Sequence, residues 1–328
     1  MNKPTIIITF ILFLCPLAAA QDPQSRLVQI QDPQSRLVEI KEGYLKFEPF
    51  TIPFEGQNVA AQLGRLIVRE NRSNPNTKLI ELAFVRLKST SDKPGYPVVY
   101  LDGGPGSSAT NIARVPDYMR AFTKLREVGD VILLDQRGVG RSRPNLLRLA
   151  TEPLPTDVFA DNDVALRVLK ERTVAAAGYF REQGTDIRAY NTMESAHDVD
   201  DVRKALGAEK LNLVGFSYGT HLGLACIRYH GANLNRVVLV GTEGPDHTNK
   251  LPLTSDASLR RLAQLAAAAP ELEGKVPDLV GILREVLTRF EKQPVTVQIT
   301  DQRTKKPIEV KVGKTGLQFL IMRDLGDT

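Results

Sequence analysis

The chain has 328 residues, of which 42% are hydrophobic and 25% charged, with 43 basic and 38 acidic residues giving a net charge of +5. This composition is that of an ordinary globular protein, and it excludes a collagen, a low-complexity chain and a disulfide scaffold. Charges of both signs are interspersed without a dense Lys/Arg run, so we expect no nucleic-acid partner.

The first twenty residues predict a secretory signal peptide. A positive start at Lys3 precedes an apolar run from Ile6 to Leu17, and three alanines end at Ala20. The run is short for a membrane span, and an uncleaved N-terminal anchor is the alternative. Cleavage after Ala20 leaves Cys226 as the only cysteine, so no internal disulfide is expected. We therefore predict an exported bacterial protein, periplasmic or extracellular, without stable membrane insertion after signal cleavage.

Residues 21–43 form an N-terminal segment with a tandem duplication, QDPQSRLVQI followed by QDPQSRLVEI, to which we assign no function. Residues 59–69 and 78–88 then predict an antiparallel hairpin around a polar loop. Four short apolar runs, 97–101, 131–134, 211–214 and 236–240, are typical of strands buried on both faces.

Helical segments lie between these runs. One helix is predicted to begin after Asn191, with Glu194 at its third position, and to close at Gly207. Alternating strands and helices predict an α/β fold, a mostly parallel sheet covered on both faces. After Gly241 the pattern changes to helices at 259–268 and 278–292, short strands at 294–300 and 307–312, and a final helix.

We therefore divide the chain into four parts. These are a signal peptide (1–20), the duplicated segment (21–43), an incomplete α/β core (44–250) and the start of a cap or lid (251–328).

The strongest chemical motif is Gly-Phe-Ser-Tyr-Gly, with Ser217 at its centre. It follows a predicted buried strand and opens a helix of small residues, which is the context of a nucleophile elbow. The strained turn would lift the Ser217 hydroxyl clear of the sheet, beside a helix N-terminus that favours negative charge. We interpret Ser217 as a nucleophile; the alternative is a glycine-rich structural turn.

Two further loops follow buried strands. Leu-Asp-Gly-Gly-Pro-Gly-Ser-Ser from Leu101 offers backbone N–H groups for an oxyanion hole, and we assign its two donors to Gly104 and Tyr218. A plain βα turn is the alternative, and a phosphate loop lacks its GxxxxGK[ST] pattern. The second loop, Asp-Gln-Arg-Gly-Val-Gly-Arg-Ser from Asp135, is interpreted as scaffold, pinned by a partly buried Asp–Arg pair beneath the site.

These motifs, together with YNTMESAHDVDDVRKALG, resemble the α/β-hydrolase family of prolyl and tripeptidyl aminopeptidases over about residues 60–250. The exported, tripeptidyl branch is the more similar. The resemblance implies a serine hydrolase that forms an acyl-enzyme and releases residues or short peptides from free N-termini. It also implies a triad in the order Ser, acid, His.

The acid and the histidine of that triad are not recognisable. His221 and His230 fall on the elbow helix and are interpreted as core or surface histidines. His247 lies in the loop after the last buried run and is the alternative candidate for the base. Glu243 and Asp246 share that loop and could bind a substrate's ammonium group or replace the triad acid. We expect the triad Asp and His to lie beyond residue 328, so that this chain alone is nearly inactive.

The motifs leave two other functions open. An esterase for small esters shares every motif above, and a non-catalytic or inactive truncated hydrolase is a further alternative. No metal cluster and no cofactor-binding loop is evident in the sequence.

Overall fold

The computed structural model describes residues 41–147, 154–246, 252–301 and 304–324. The predicted signal peptide, the duplicated repeats and His247 lie outside them. The strands in chain order are β1 (Leu45–Phe54), β2 (Gln57–Arg69), β3 (Leu79–Leu87), β4 (Val98–Leu101), β5 (Val131–Asp135), β6 (Leu211–Phe216), β7 (Leu234–Val240), β8 (Val295–Thr300) and β9 (Pro307–Val312). The helices are α1 (Ala109–Ile112), α2 (Pro116–Leu125), α3 (Asn162–Glu182), α4 (Thr192–Ala205), α5 (Tyr218–His230), α6 (Pro252–Ala268), α7 (Leu279–Lys292) and α8 (Lys314–Asp324).

The described residues fall into two compact units. One comprises 41–147 and 177–246, and the other 154–176, 252–301 and 304–324. The first unit carries every motif singled out in the sequence. The predicted boundaries of core and cap remain a prediction.

The first unit is built on a seven-stranded sheet with the order β1-β2-β3-β5-β4-β6-β7. Strands β5, β4, β6 and β7 pair in parallel, whereas β1, β2 and β3 pair antiparallel to one another and β3 antiparallel to β5. The predicted α/β class and the β2–β3 hairpin are confirmed. Strand β1 was not predicted and extends the antiparallel part by one strand.

Two apolar clusters sandwich the central strands, because alternate residues of a strand point to opposite faces. Val99 and Leu101 of β4 belong to a cluster with Val199 of α4 and Leu222 of α5. Tyr100, between them, belongs to a second cluster with residues of α1 and α2. The sheet is thus covered on both faces, as the sequence predicts.

Helix α4 has the predicted ends. The Asn191 side chain accepts a hydrogen bond from the Glu194 N–H, and Gly207 follows the helix with φ of +65°. A side-chain cap satisfies one of the N–H groups that the first helical turn leaves without a partner.

The prediction for residues 236–240 was wrong in one respect. They form a strand, β7, but it stands at the edge of the sheet, and Val238 and Val240 are 53% and 47% exposed. A continuous apolar run indicates a strand without revealing how many neighbours cover it.

The second unit contains helices α6, α7 and α8 and a small antiparallel pair, β8–β9. The helices and strands predicted after residue 250 are confirmed there. Within the described residues, no helix combines the length and the apolar character that crossing a membrane requires.

Candidate active site

Ser217 lies in the sharp turn between β6 and α5, with φ of 52° and ψ of −124°. A positive φ is uncommon for a residue other than glycine and costs free energy, so the surrounding structure must hold it. The Ser217 N–H donates to the Val240 carbonyl at 3.0 Å, which ties the turn to β7. The predicted strand–turn–helix context of a nucleophile elbow is therefore present.

Two glycines allow the elbow to approach the neighbouring strand. A Cβ on Gly219 would lie 1.9 Å from the Leu101 carbonyl oxygen, far inside van der Waals contact distance. A Cβ on Gly103 would lie 2.9 Å from the Cβ of Ser217. Any larger residue at these two positions would push β4 and the elbow apart, because packed backbones leave no room for it.

The loop that follows β4 (residues 103–108, the glycine loop) thus begins beside Ser217. Gly104 adopts φ of +113°, and its N–H forms no hydrogen bond to another described residue. Tyr218 is the first residue of α5, so its N–H has no intrahelical acceptor. Neither predicted donor N–H has a hydrogen-bond acceptor among the described residues, and their joint use as an oxyanion hole stays a prediction.

Glu243 is the residue that the structure brings to the nucleophile. The Ser217 Oγ donates a hydrogen bond to Glu243 Oε1 at 3.2 Å. The Glu243 N–H donates to Thr220 Oγ1 at 2.8 Å, and the Thr220 hydroxyl donates to the Ser217 carbonyl at 2.6 Å. The carboxylate is therefore held against the elbow by its own backbone as well as by its side chain.

The other candidates lie elsewhere. Asp246 is exposed and makes no hydrogen bond to Ser217 within the described residues. His221 stacks on Tyr218 with ring centroids 5.6 Å apart, and His230 pairs through Nε2 with Nδ1 of His197 at 2.8 Å. No histidine in the described ranges hydrogen-bonds to Ser217.

Burial lowers the pKa of His230, and the neighbouring His197 and Lys204 add to this effect. Asp200 and Asp201 oppose it. The His230 ring thus belongs to a polar cluster at the far end of α5 and not to the elbow, as expected for a structural histidine.

Sequence reasoning missed Asp102, which precedes the glycine loop. Asp102 is 4% exposed, and its Oδ1 accepts hydrogen bonds from the Tyr100 hydroxyl at 3.0 Å and the Gly103 N–H at 2.9 Å. Burial, followed by the Asp102 charge, raises the pKa of both Tyr100 and Tyr118. The spacing of Tyr100 in β4 and Asp102 directly after it was the available signal, since residues two positions apart in an extended chain lie on one face.

The expected Asp–Arg pair in the loop after β5 takes another form. Arg137 is buried and donates two hydrogen bonds to Asp198 of α4, both at 2.7 Å, and one to the Ala189 carbonyl at 2.8 Å. Asp135 instead binds residues at the end of the glycine loop. Arg137 thus joins this loop to α4, which agrees with a scaffold role.

Among the described residues, no group of three or more His, Cys, Asp or Glu side chains could hold a metal ion. Cys226 is buried, and burial raises the pKa of its thiol to about 12. A thiol of this kind is a poor nucleophile, because the thiolate is the reactive form. Ser217 is therefore the candidate nucleophile of this unit.

The chain is similar to a family of known proteins and to several curated enzymes. The family described as alpha/beta hydrolase fold matches residues 96–275. Tripeptidyl aminopeptidase of Streptomyces lividans is 30% identical over 206 residues, 59% of this chain and 35% of that protein. Serine protease Hip1 of Mycobacterium bovis is 29% identical over 57% of this chain and 36% of its own length. Proline iminopeptidase of Neisseria meningitidis is 27% identical over 49% of this chain and 37% of its own length.

The matched part of this chain thus spans about a third of the length of these curated relatives. It contains the elbow, the glycine loop and the loop after β5, which are the elements described above.

Proposed function

The chain belongs to the α/β-hydrolase family, and from this membership we propose that it is a serine hydrolase of aminopeptidase type with Ser217 as its nucleophile. The observation that carries the proposal is the strained Ser217, whose hydroxyl is hydrogen-bonded to the Glu243 carboxylate. The names of the relatives, a tripeptidyl aminopeptidase, a serine protease and a proline iminopeptidase, support peptide substrates.

The proposed chemistry is acyl transfer. The Ser217 Oγ attacks the substrate carbonyl, the N–H groups of Gly104 and Tyr218 receive the oxyanion, and the leaving amine departs from an acyl-enzyme that water hydrolyses. The start of the glycine loop beside Ser217 supports this role for Gly104, which is the second residue of the loop.

We propose that Glu243 recognises the free N-terminus of the substrate, with Asp246 as a more exposed contributor. A carboxylate 3.2 Å from the nucleophilic oxygen lies within reach of an ammonium group two bonds from the attacked carbonyl. A charge-assisted hydrogen bond of this kind is about twice as strong as a neutral one. Replacement of the triad acid is the other role open to Glu243.

Turnover also requires a general base, and no described histidine hydrogen-bonds to Ser217. A serine hydrolase without a complete triad retains an acceleration of roughly 10³–10⁴ over water, from the oxyanion hole and substrate binding. We therefore propose that turnover stays near this level unless a base reaches Ser217.

The test compares three activated esters: an aminoacyl p-nitrophenyl ester, its N-acetylated form and p-nitrophenyl acetate. We expect acetylation of the amine to lower kcat/KM more than about tenfold, because the half-buried Glu243 carboxylate loses its cation. Glu243→Gln should abolish this difference, and Asp246→Asn, the matched control, should change it less. Equal cleavage of the first two esters by the wild type favours an esterase. Equal rates for wild type and Ser217→Ala with every ester contradict the proposal.

We also propose that the protein is exported. The support is the order of a basic start, an apolar run and three alanines in residues 1–20. N-terminal sequencing of the secreted or periplasmic protein should find Gln21 first, and an intact Met1 in that fraction would contradict export by cleavage.

A further inference from the structure

Asp135 ends strand β5 and is fully buried, although the proposed chemistry makes no use of it. Its Oδ1 accepts hydrogen bonds from the Ser108 hydroxyl at 2.9 Å and the Thr110 N–H at 3.0 Å. Its Oδ2 accepts from the Thr110 hydroxyl at 2.7 Å and the Arg141 N–H at 2.8 Å. Each carboxylate oxygen thus has one backbone N–H and one hydroxyl as partners.

These partners hold the far end of the glycine loop. Ser108 is the last residue of the loop and the N-cap of α1, and Thr110 lies in the first turn of that helix. Helix α1 has four residues, too few to be stable by its own hydrogen bonds. The bonds to Asp135 therefore help to fix its position, together with the packing of Ala109 in the second apolar cluster.

The next residue, Gln136, holds the near end of the same loop. Its Nε2 donates to the Asp102 carbonyl at 3.1 Å, and the Asp102 carboxylate accepts the Gly103 N–H at 2.9 Å. Gln136 is itself buried, so water does not compete for these bonds. Two consecutive residues at the carboxyl end of β5 therefore hold both ends of the loop that carries Gly104.

We propose that Asp135 and Gln136 are positioning residues of the oxyanion hole. They fix the glycine loop from the neighbouring strand, so that the Gly104 N–H stays directed at the site where negative charge develops on the substrate. This inference rests on the proposed function, because it assumes that the loop receives an oxyanion. A donor displaced by about 1 Å costs on the order of 10²-fold in rate, so fixing both loop ends has a direct catalytic effect.

The matched control is Asp130, which directly precedes the opposite end of the same strand. Its Oδ1 accepts the Ser89 N–H at 2.8 Å, and its Oδ2 accepts Arg86 Nε at 2.6 Å. Like Asp135, it is a largely buried carboxylate that binds one backbone N–H on a neighbouring loop. A loss of stability is therefore expected from both Asp→Asn changes, but a loss of oxyanion binding only from the change at Asp135.

Asp135→Asn disrupts the arrangement in either amide orientation. With its NH₂ group at the Oδ1 position the amide faces the Thr110 N–H, and at the Oδ2 position it faces the Arg141 N–H. Two donors then oppose each other in a buried site, which costs the desolvation of both. Thr110→Val removes one hydroxyl and Gln136→Met removes the amide donor, and these milder variants serve if Asp135→Asn does not fold.

The experiment measures binding of phenylboronic acid to the full chain by calorimetry. Boron accepts an electron pair from the Ser217 Oγ, the hydroxyl proton passes to the buffer, and the tetrahedral boronate anion places an oxygen where the oxyanion of a substrate would lie. We expect Asp135→Asn, Gln136→Met and Thr110→Val to weaken binding by roughly tenfold or more. Thr110→Ser, which keeps the hydroxyl, should restore wild-type affinity, and Asp130→Asn should stay within about twofold of it.

Thermal unfolding of each variant separates a displacement of the glycine loop from a general loss of stability. Wild-type affinity in Asp135→Asn and Gln136→Met would overturn the proposal, and so would a loss of affinity that Asp130→Asn shares at an equal fall in Tm. If wild type and Ser217→Ala bind the boronic acid alike, the proposed function fails instead.

Discussion

The carboxyl ends of the central strands and that of the edge strand hold their functional residues in different ways. At the ends of β4, β5 and β6, hydrogen bonds fix Asp102, Asp135 and the elbow at Ser217, and both aspartates are buried. Beyond β7 the chain is largely exposed, and Glu243 is held by one side-chain contact and one backbone hydrogen bond. The nucleophile and the proposed oxyanion donors thus belong to a packed scaffold, whereas the proposed substrate carboxylate belongs to a loosely held segment.

This difference matches what each group has to do. Stabilisation of a developing oxyanion needs donors fixed before the reaction, because reorganisation would consume the energy gained. Recognition of a substrate's N-terminus tolerates adjustment, and binding residues on loops held by a rigid scaffold are common. Three kinds of substitution, each made once in either region, should therefore have unequal effects on stability.

The largest difference in stability is expected between two glycines at opposite ends of α5. Gly219→Ala puts a methyl group inside the contact distance of the Leu101 carbonyl, so we expect it to destabilise the fold by more than about 3 kcal/mol or to prevent folding. Gly231→Ala meets open space at a φ of −54° and should change stability by less than about 1 kcal/mol. Urea unfolding measures both, and equal effects would remove the distinction between the regions.

A buried and an exposed arginine give the next contrast. Arg137 is buried and binds Asp198 and the Glu70 and Ala189 carbonyls, so Arg137→Met should cost about 3 kcal/mol. Arg236 on β7 is exposed, and Arg236→Met should stay within about 0.5 kcal/mol of wild type. The denaturant midpoints of the two variants provide the measurement. A tolerated Arg137→Met would show that the loop after β5 does not depend on the Arg137–Asp198 pair.

Two valines test the strands themselves. Val99 of β4 is fully buried, and Val99→Thr puts a hydroxyl into the apolar cluster at a cost of about 1–2 kcal/mol. Val238 of β7 is 53% exposed, and Val238→Thr should cost less than about 0.5 kcal/mol. Circular dichroism melts of the two variants provide the measurement. A comparable loss at Val238 would mean that β7 is covered in solution.

The smallest effect concerns pH and helix α5, which connects the elbow to β7. Because burial lowers the His230 pKa below its unfolded value of 6.5, the unfolded chain binds the proton more readily. The stability contributed by neutral His230 is complete above that value and is lost as the pH falls through the lower folded pKa. We expect the melting temperature to fall between pH 7 and pH 5, and His230→Gln to flatten this part of the curve. An unchanged slope in the variant would contradict this assignment.

The sequence predicted the central region well because its signals are local. Apolar runs mark β4, β5 and β6, and the pentapeptide around Ser217 marks the turn between strand and helix. The cap at Asn191 is equally local, since its partner is three residues away. Such features depend on neighbours in the chain, which a sequence shows directly.

The features that the sequence did not reveal depend on distant parts of the chain. Asp135 binds residues 25 and 27 positions earlier, and Arg137 binds a carboxylate 61 positions later. The exposure of β7 depends on what pairs with its outer side, and β1 was missed because Pro49 and Pro53 interrupt its pattern. The Ser217–Glu243 contact joins residues 26 positions apart. The sequence indicated each of them as a candidate site residue but not their contact.

The most direct test of the account is the site at which a fluorophosphonate probe modifies the protein. The Ser217 Oγ should attack phosphorus with loss of fluoride, and peptide mapping by mass spectrometry should find the adduct on Ser217 of the folded chain. Ser217→Ala should remain unlabelled under the same conditions, at an unchanged melting temperature. Labelling of another serine, or equal labelling of wild type and Ser217→Ala, would contradict the assignment of Ser217 as the nucleophile.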